Sequence, residues 1–396
     1  MNLKRILIVI LFTAYSTLMY GQSISKTMLR LPDTGETQSY TNTFGEDNDY
    51  LINVPFFIDN LDGTITDTIT GLMWQKLLGG EMTIENARTY CDTLTIGTYT
   101  DWRLPNAHES FSILNHQYSN PAIKTSIFPD SLVDYWWTST VQKNDSNKIW
   151  VTNAGGGIGP HPKTETISAG GNKIFRVRAV RDITTPVTLP NHFTNNNDGT
   201  ITDNLTELVW QQSAYNDSLS WEQALNYADT NQLGNLIDWR LPNIKELQSL
   251  NDETKTNPSI NSLFNIGISF KAWSSTTLPN QTTKAWYIDT QFGITTYDYK
   301  TVRHNVILVR GPINSITGDP ELENTARNMV VFPNPFVDYI NVSSNTNTVF
   351  LLLDILGRTI YKGANIQTQN FSRLPKGIYR RKKVTSSSTA SNSMTV

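Results

Sequence analysis

The hexapeptide Asp-Trp-Arg-Leu-Pro-Asn occurs at 101–106 and again, unchanged, at 238–243. It is one link in a longer series. Asp-Gly-Thr-Ile-Thr-Asp at 62–67 returns at 198–203, and Trp74-Gln75 returns as Trp210-Gln211. Trp137-Thr-Ser-Thr140 returns as Trp273-Ser-Ser-Thr276, Trp150 as Trp286, and Val180-Arg181 as Val309-Arg310. The order never changes, so the chain is a tandem duplication of one domain. The copies run over 51–182 and 190–312, joined by a Pro/Thr linker at 183–189. A polar segment, 22–50, precedes them, and a second linker, 313–328, leads to a further region at 329–396.

Each copy reads as short strands with two helices. The Asp-Gly turn followed by alternating Thr-Ile-Thr is a β-hairpin pattern. In the second copy Ser220 and Gln223 form a capping box, and Trp221, Ala224, Leu225 and Ala228 follow at helical spacing. In the first, Thr83 opens the helix, with Ile84, Ala87, Cys91 and Leu94 on its apolar side. Within the hexapeptide, Trp102 and Leu104 share one face of a short strand and Asp101 and Arg103 the other, which predicts an Asp101–Arg103 pair. Pro105 ends the strand. Asn106 with Glu109, and Asn243 with Glu246, then take the N-cap and N3 positions of a second helix. The residues Asp101, Trp102, Arg103, Asn106 and Glu109, with Asp238, Trp239, Arg240, Asn243 and Glu246, are thus predicted to be a structural motif. Every one of them has a local job.

Lys4 and Arg5 precede an apolar run from Ile6 to Ala14, and small Gly21 precedes Gln22. This is the build of a secretory leader cleaved between Gly21 and Gln22, giving 1–21 as signal peptide. A membrane anchor needs ~20 uninterrupted apolar residues, and Tyr15, Ser16 and Thr17 interrupt this run. No transmembrane anchor is expected. The single cysteine, Cys91, rules out a disulfide within the chain. A net charge of −3 without a basic stripe argues against nucleic acid as a partner. All ten tryptophans lie between Trp74 and Trp286, which suits a secreted, β-rich protein.

Asp59, Asn60, Asp62 and Asp67 cluster at the first Asp-Gly turn, and oxygen ligands of this kind suit calcium. The EF-hand spacing fails, however: Ile58 falls at the first ligand position and Ile69 where the bidentate Glu belongs. A solvated turn is expected, with no metal and no cofactor. No Ser/His/Asp series recurs, and His108, His116, His161, His192 and His304 have no counterparts at matching positions. A zinc site would want several His or Cys at close spacing. Hydrolysis by two carboxylates stays open on composition, because acids are plentiful. The expectation is a protein without catalytic residues. Recognition sits more naturally on loops. The copies differ most between Trp150 and Arg181, where the first carries about seven extra residues, within the Gly-rich stretch at 153–171. Gly156, His161 and Lys163 are its candidate ligand-binding residues.

The stretches "DGTITDNLTELVWQQ", "SWEQALNYAD", "DWRLPNIKELQSL", "NPSI", "WSSTT" and "AWYID", with the closing "VR", occur here in order. Together they resemble the Lcl C-terminal domain family, formerly domain of unknown function 1566 and named after a collagen-like adhesin. The resemblance implies a secreted or cell-surface, adhesin-type protein that binds a glycan or another extracellular polymer. It also implies a C-type-lectin-like fold, which formylglycine-generating enzymes share; their chemistry needs a cysteine pair absent here. Family members often carry a Cys on the first helix and another in the final strand. Here Cys91 faces Ala179, and the second copy has Ala228 and Leu308. The implied contact is a core one without the bond, with Cys91 a buried thiol. Finally, "MVVFPNPFVDYINV", "FLLLDILGRTIYKG" and "FSRLPKGIYR" are similar to the C-terminal sorting domain of the type IX secretion system of Bacteroidota, which implies that export machinery as partner. Their period-two patterning and Pro-Asn-Pro turn read as a small β-sandwich. The run Arg380–Lys383 departs from the apolar last strand of that pattern. The fold class expected is α+β: two C-type-lectin-like repeats, each of short strands and two helices, followed by the small β-sandwich.

Overall fold

The computed structural model describes residues 23–50, 52–131, 133–164, 171–233, 236, 238–311 and several stretches between 331 and 395. The leader, its Gly21–Gln22 processing point and the linker 313–328 lie outside the described residues. Two compact units result, Met1–Ile313 and Asn314–Val396.

In the first unit, β1 (Ile24–Lys26) precedes the first repeat. That repeat holds β2 (Phe57–Asp59), β3 (Thr64–Asp67), β4 (Leu72–Gln75), β5 (Gly79–Met82), α1 (Ile84–Thr93) and α2 (Ala107–Ser112). It continues with β6 (Tyr135–Val141), β7 (Lys148–Asn153), β8 (Ile158–Pro162), β9 (Phe175–Val177) and β10 (Val180–Asp182). One sheet has the order β10-β4-β3-β2 and the other β5-β9-β6-β7-β8. After β11 (Val187–Leu189) the second repeat follows: β12 (Phe193–Asn195), β13 (Thr200–Asp203), β14 (Val209–Gln211), α3 (Trp221–Thr230) and α4 (Ile244–Ser249). It closes with β15 (Lys271–Thr277), β16 (Lys284–Asp289), β17 (Ile294–Tyr299) and β18 (Val309–Arg310). Its sheets are β12-β13-β14-β18 and β15-β16-β17. The architecture is mainly β, with these four α-helices among the described residues.

Local signals explain most of these elements. Asp62 Oδ1 accepts from Thr64 N at 3.0 Å and Asp198 Oδ1 from Thr200 N at 3.0 Å, so the Asp of each hairpin turn holds the start of its own strand. Thr83 caps α1 through Asn86 N, and Gln223 Oε1 accepts from Ser220 N at 3.1 Å at the start of α3. The stretch read as a linker is more than a tether. Its β11 pairs antiparallel with β1, Ile24 opposite Leu189 and Lys26 opposite Val187.

Each repeat has two cores. Behind α1, Cys91, Trp102, Trp137 and Ala179 pack together; behind α3, Ala228, Trp239, Trp273 and Leu308 do the same. Cys91 and Ala179 therefore meet in one core, as do Ala228 and Leu308. The other cores centre on Trp74 and Trp210.

In the second unit β19 (Val331–Phe332) pairs with β20 (Asn341–Val342). Beside this ladder, β21 (Val349–Asp354), β22 (Thr359–Gly363), β23 (Ile378–Val384) and β24 (Thr389–Thr395) form an antiparallel sheet in the order β22-β21-β23-β24. The basic run Arg380–Lys383 thus lies in an interior strand rather than the last one. The Ser/Thr-rich tail supplies the edge, paired from Thr389 opposite Val384 to Thr395 opposite Ile378. A stretch without proline, opened and closed by β-favouring Thr, can add to an open edge in this way.

Candidate functional site

The repeated hexapeptide is a staple between the last strand and the second helix. Arg103 exchanges two main-chain hydrogen bonds with Val180, both 2.9 Å; Arg240 does so with Val309 at 2.9 and 3.0 Å. The indole N–H of Trp102 donates to Tyr99 O at 3.1 Å, and that of Trp239 to Leu233 O at 3.0 Å. The arginines reach forward instead. Arg103 grips Glu109 at 2.7 and 2.9 Å and Asp182 at 2.8 Å. Glu109 also accepts Asn106 N–H at 2.8 Å while Asn106 Oδ1 accepts Glu109 N–H at 2.9 Å, which closes the capping box. The second copy repeats it, with Arg240 held to Glu246 at 2.6 Å through both amino groups and the Asn243/Glu246 box intact.

The Asp101–Arg103 pair read from the sequence does not form. Asp101 accepts from Arg181 at 2.7 and 3.0 Å, and Asp238 from Arg310 at 2.7 and 3.0 Å. The physical reason is Glu109. Its carboxylate is wholly buried, and a buried charge left without a cation is costly. All the charged groups of the motif are paired, with one another or with the last strand of the same repeat, so the motif holds the scaffold.

The repeats pack against each other across α2 and α4. Ala107, Phe111 and Trp150 of the first share a core with Ile244, Leu278 and Trp286 of the second. The polar segment that precedes the first repeat crosses this junction, with Pro32, Asp33, Thr34, Glu36, Gly45, Glu46 and Asp47 buried. Lys245 Nζ donates to Asp33 O at 2.8 Å and to Ser112 O at 2.7 Å. Asp47 Oδ2 accepts from Thr34 Oγ1 at 2.8 Å and Thr276 Oγ1 at 2.6 Å, and Glu46 accepts from Thr277 Oγ1. Asp33, Glu36, Glu46 and Asp47 are all buried. Burial pushes the Asp33, Glu36 and Asp47 carboxyls up, with neighbouring acids adding to it. Burial also brings Lys245 down to about 8. Lys300 stands 3.9 Å from Glu46 and lies over the Trp221 ring at 3.7 Å.

On the opposite edge of the junction lies a cavity of about 620 Å³. Its walls come from both repeats and from β1: Asn106, His108 and Thr140 on one side, Asp252, Glu253 and Thr254 on the other. His108 Nε2 is 2.9 Å from Glu253 Oε1. Burial opposes protonation of His108, but the Glu253 carboxylate outweighs it and the pKa is raised. His192 sits 3.3 Å from Asp203 and stacks on Phe193 at 3.8 Å. The cavity wall is mixed: amides, hydroxyls, imidazoles and charged groups alternate with Ile24, Met28, Phe193 and Leu263.

The loop residues singled out in the sequence do not come together at this cavity. Gly156 is interior, at φ +100°, and a Cβ there would stand 3.2 Å from the Trp286 ring of the other repeat. Its carbonyl meets His116 Nε2 at 3.0 Å. The first half of the Gly-rich stretch is thus a junction element, not a surface loop. His161 is half-buried on β8 against Tyr135 and Phe175, with ring centroids 4.8 and 5.8 Å away. Lys163 N donates to Asn147 O at 2.8 Å. Cys91 is 1 % exposed, and burial, with Asp92 adding to it, pushes its thiol up to about 12. Sequence reasoning missed His108, Thr140 and Glu253. Histidine at 108 where the other repeat has Lys245 was the available signal.

These features define a tandem β-rich scaffold with a cleft between its repeats. The Lcl C-terminal domain model matches residues 63–181 and 199–310, and the chain belongs to that family. A secretion system C-terminal sorting domain matches 330–396, which marks the chain for the cell surface or release by the type IX system. No helix among the described residues is long and apolar enough to cross a membrane. A comparison with curated proteins finds no match. Among solved structures the chain is similar to PorZ, an essential bacterial surface component of the type IX secretion system of Porphyromonas gingivalis. Identity is 12 % over 61 % of this chain and 29 % of that one, with a TM-score of 0.17.

Proposed function

We propose that this is an adhesin-type binding protein, not an enzyme, that captures an extracellular glycan or another extracellular polymer in the cleft between its repeats. One observation carries the reading: a cavity of about 620 Å³ with a mixed polar and apolar wall built jointly by both repeats, next to a scaffold motif whose charges are already paired. A concave site lined by amides and hydroxyls suits a polyhydroxylated or peptidic ligand. The interior position of Cys91 argues against thiol chemistry. The reading includes a cleaved leader, a Bacteroidota source and C-type-lectin-like repeats. The order of hairpin, helix, helix and long hairpin in each repeat supports the last of these.

The test is a glycan and matrix-polymer array probed with the exported protein and with Thr254→Trp, which fills the cleft from its exposed rim. Capture that Thr254→Trp removes supports the reading. Failure to capture any polymer at high concentration sinks it.

A further inference from the structure

We propose that the open cleft is a docking groove for an extended acidic polypeptide segment. This deepens the binding reading above and rests on it. The junction has two edges, interchanged when the repeats are interchanged. At one edge Lys245, Thr276 and Thr277 are covered by the chain's own residues 33–47. The turn after α2 joins in, with His116 N donating to Thr34 O at 2.9 Å and Thr37 N to Gln117 Oε1 at 2.7 Å. The ligand of that edge is therefore an extended main chain carrying carboxylates.

The other edge has the corresponding wall, bordered by β1, and among the described residues no segment lies over it as 33–47 lies over the first. His108 stands where the twin has Lys245, Thr140 where it has Thr276, and Val141 where it has Thr277. Ser275, Thr276 and Thr277 are buried, whereas Ser139 is exposed, Thr140 half-buried and Val141 38 % exposed.

Thr140 shows what the occupant must bring. Its Oγ1 accepts Ala107 N–H at 3.0 Å, just as Thr276 Oγ1 accepts Ile244 N–H at 3.0 Å. Each hydroxyl then has one proton left to donate. In the twin it goes to the Asp47 carboxylate at 2.6 Å; among the described residues Thr140 donates to no acceptor. The charged groups of the cleft are already matched: Asp252 to Lys255 at 3.0 Å, Glu253 to His108 at 2.9 Å and Lys26 to Glu207 at 3.2 Å. An incoming carboxylate thus meets no unpaired acid among the described cleft residues and finds the remaining Thr140 hydroxyl proton.

Full-length protein is titrated with a fluorescein-labelled peptide of residues 33–47, the same peptide with Asp47→Asn, poly-L-glutamate and a polyuronate. The acidic peptide is expected to bind. Thr140→Val and the Asp47→Asn peptide should each weaken binding by about 10- to 100-fold, the effect of losing one hydrogen bond to a charged group. Thr254→Trp should abolish binding with the melting temperature unchanged. Thr140→Ser should restore it, which separates hydroxyl loss from any loosening of α2. Equal binding of the neutral peptide, or no binding of peptide and polyglutamate at millimolar concentration, overturns the proposal. Capture of the polyuronate alone overturns it too, but leaves the general binding reading standing; no capture of anything removes both.

Discussion

Arg240 and Glu246 face each other through two hydrogen bonds of 2.6 Å with both side chains almost wholly buried. Their counterparts Arg103 and Glu109 make the same fork at 2.7 and 2.9 Å, yet Arg103 is 33 % exposed and has Asp182 as a second acid. Same motif, unequal burial. Breaking a buried pair by removing one partner strands the other charge and costs about 3–5 kcal/mol. Arg240→Ala is therefore expected to destabilise the first unit by about that amount, and Arg103→Ala by less, because water can reach the vacated site. Denaturant melts of the two variants check the order. A larger loss for Arg103→Ala would refute it.

Trp102→Ala should cost about 3–5 kcal/mol as a large core truncation, and Asn106→Ala about 1 kcal/mol through the lost cap. Trp102→Ala should not alter ligand capture in the fraction that remains folded. If it abolished capture while leaving the melt unchanged, the hexapeptide would be a binding motif instead of a scaffold.

Much of this was legible because it is local. The Asp-Gly hairpins, the Thr83 and Ser220 helix starts and the Asn106/Glu109 and Asn243/Glu246 boxes depend on residues within four positions of one another. The partner of Arg103 was not legible. Its second acid, Asp182, lies 79 positions on and is delivered by the antiparallel return of β10. The segment 22–50 reads only as polar, because nothing local reveals that Thr276, Thr277 and Lys245 receive its carboxylates and carbonyls. The cleft was hidden for the same reason: His108 and Glu253 become neighbours only when the two repeats dock.

Cys91 should be inert in the native protein. With the thiol interior and its pKa pushed up to about 12, the thiolate fraction at neutral pH is negligible. Cys91→Ala should fold and cost about 1 kcal/mol. Labelling by a thiol reagent should proceed only at the rate of unfolding. Stoichiometric labelling within seconds under native conditions would contradict the burial.

Export should depend on the second unit. Deleting residues 329–396 removes the matched sorting domain and keeps all residues of both repeats. The truncated protein is expected to fold but accumulate in the periplasm, read by fractionation and immunoblot. Unchanged appearance outside the cell would show that the address lies elsewhere.

The buried carboxylates at the junction set a pH dependence whose sign can be worked out. Asp33, Glu36 and Asp47 have folded-state pKa values raised above their unfolded ones, first by burial and then by one another. The folded state therefore binds more protons than the unfolded state across the window from about 4 upward to the raised values, and its stability in that window rises as pH falls. The contribution is fully present below the unfolded pKa and is lost as pH rises through the folded one. Glu36 is the cleanest probe, since its Oε1 is buried without a hydrogen-bond partner and its other oxygen only accepts from Thr277 N at 3.4 Å. Glu36→Gln keeps the shape and that acceptor while removing the charge. The variant should melt higher than the parent at pH 8, and the gap should close by pH 4, where the parent's Glu36 is already neutral. Thermal melts of parent and variant across that range decide it. A variant less stable than the parent at pH 8 would mean that the Glu36 charge is held favourably by Lys300 after all.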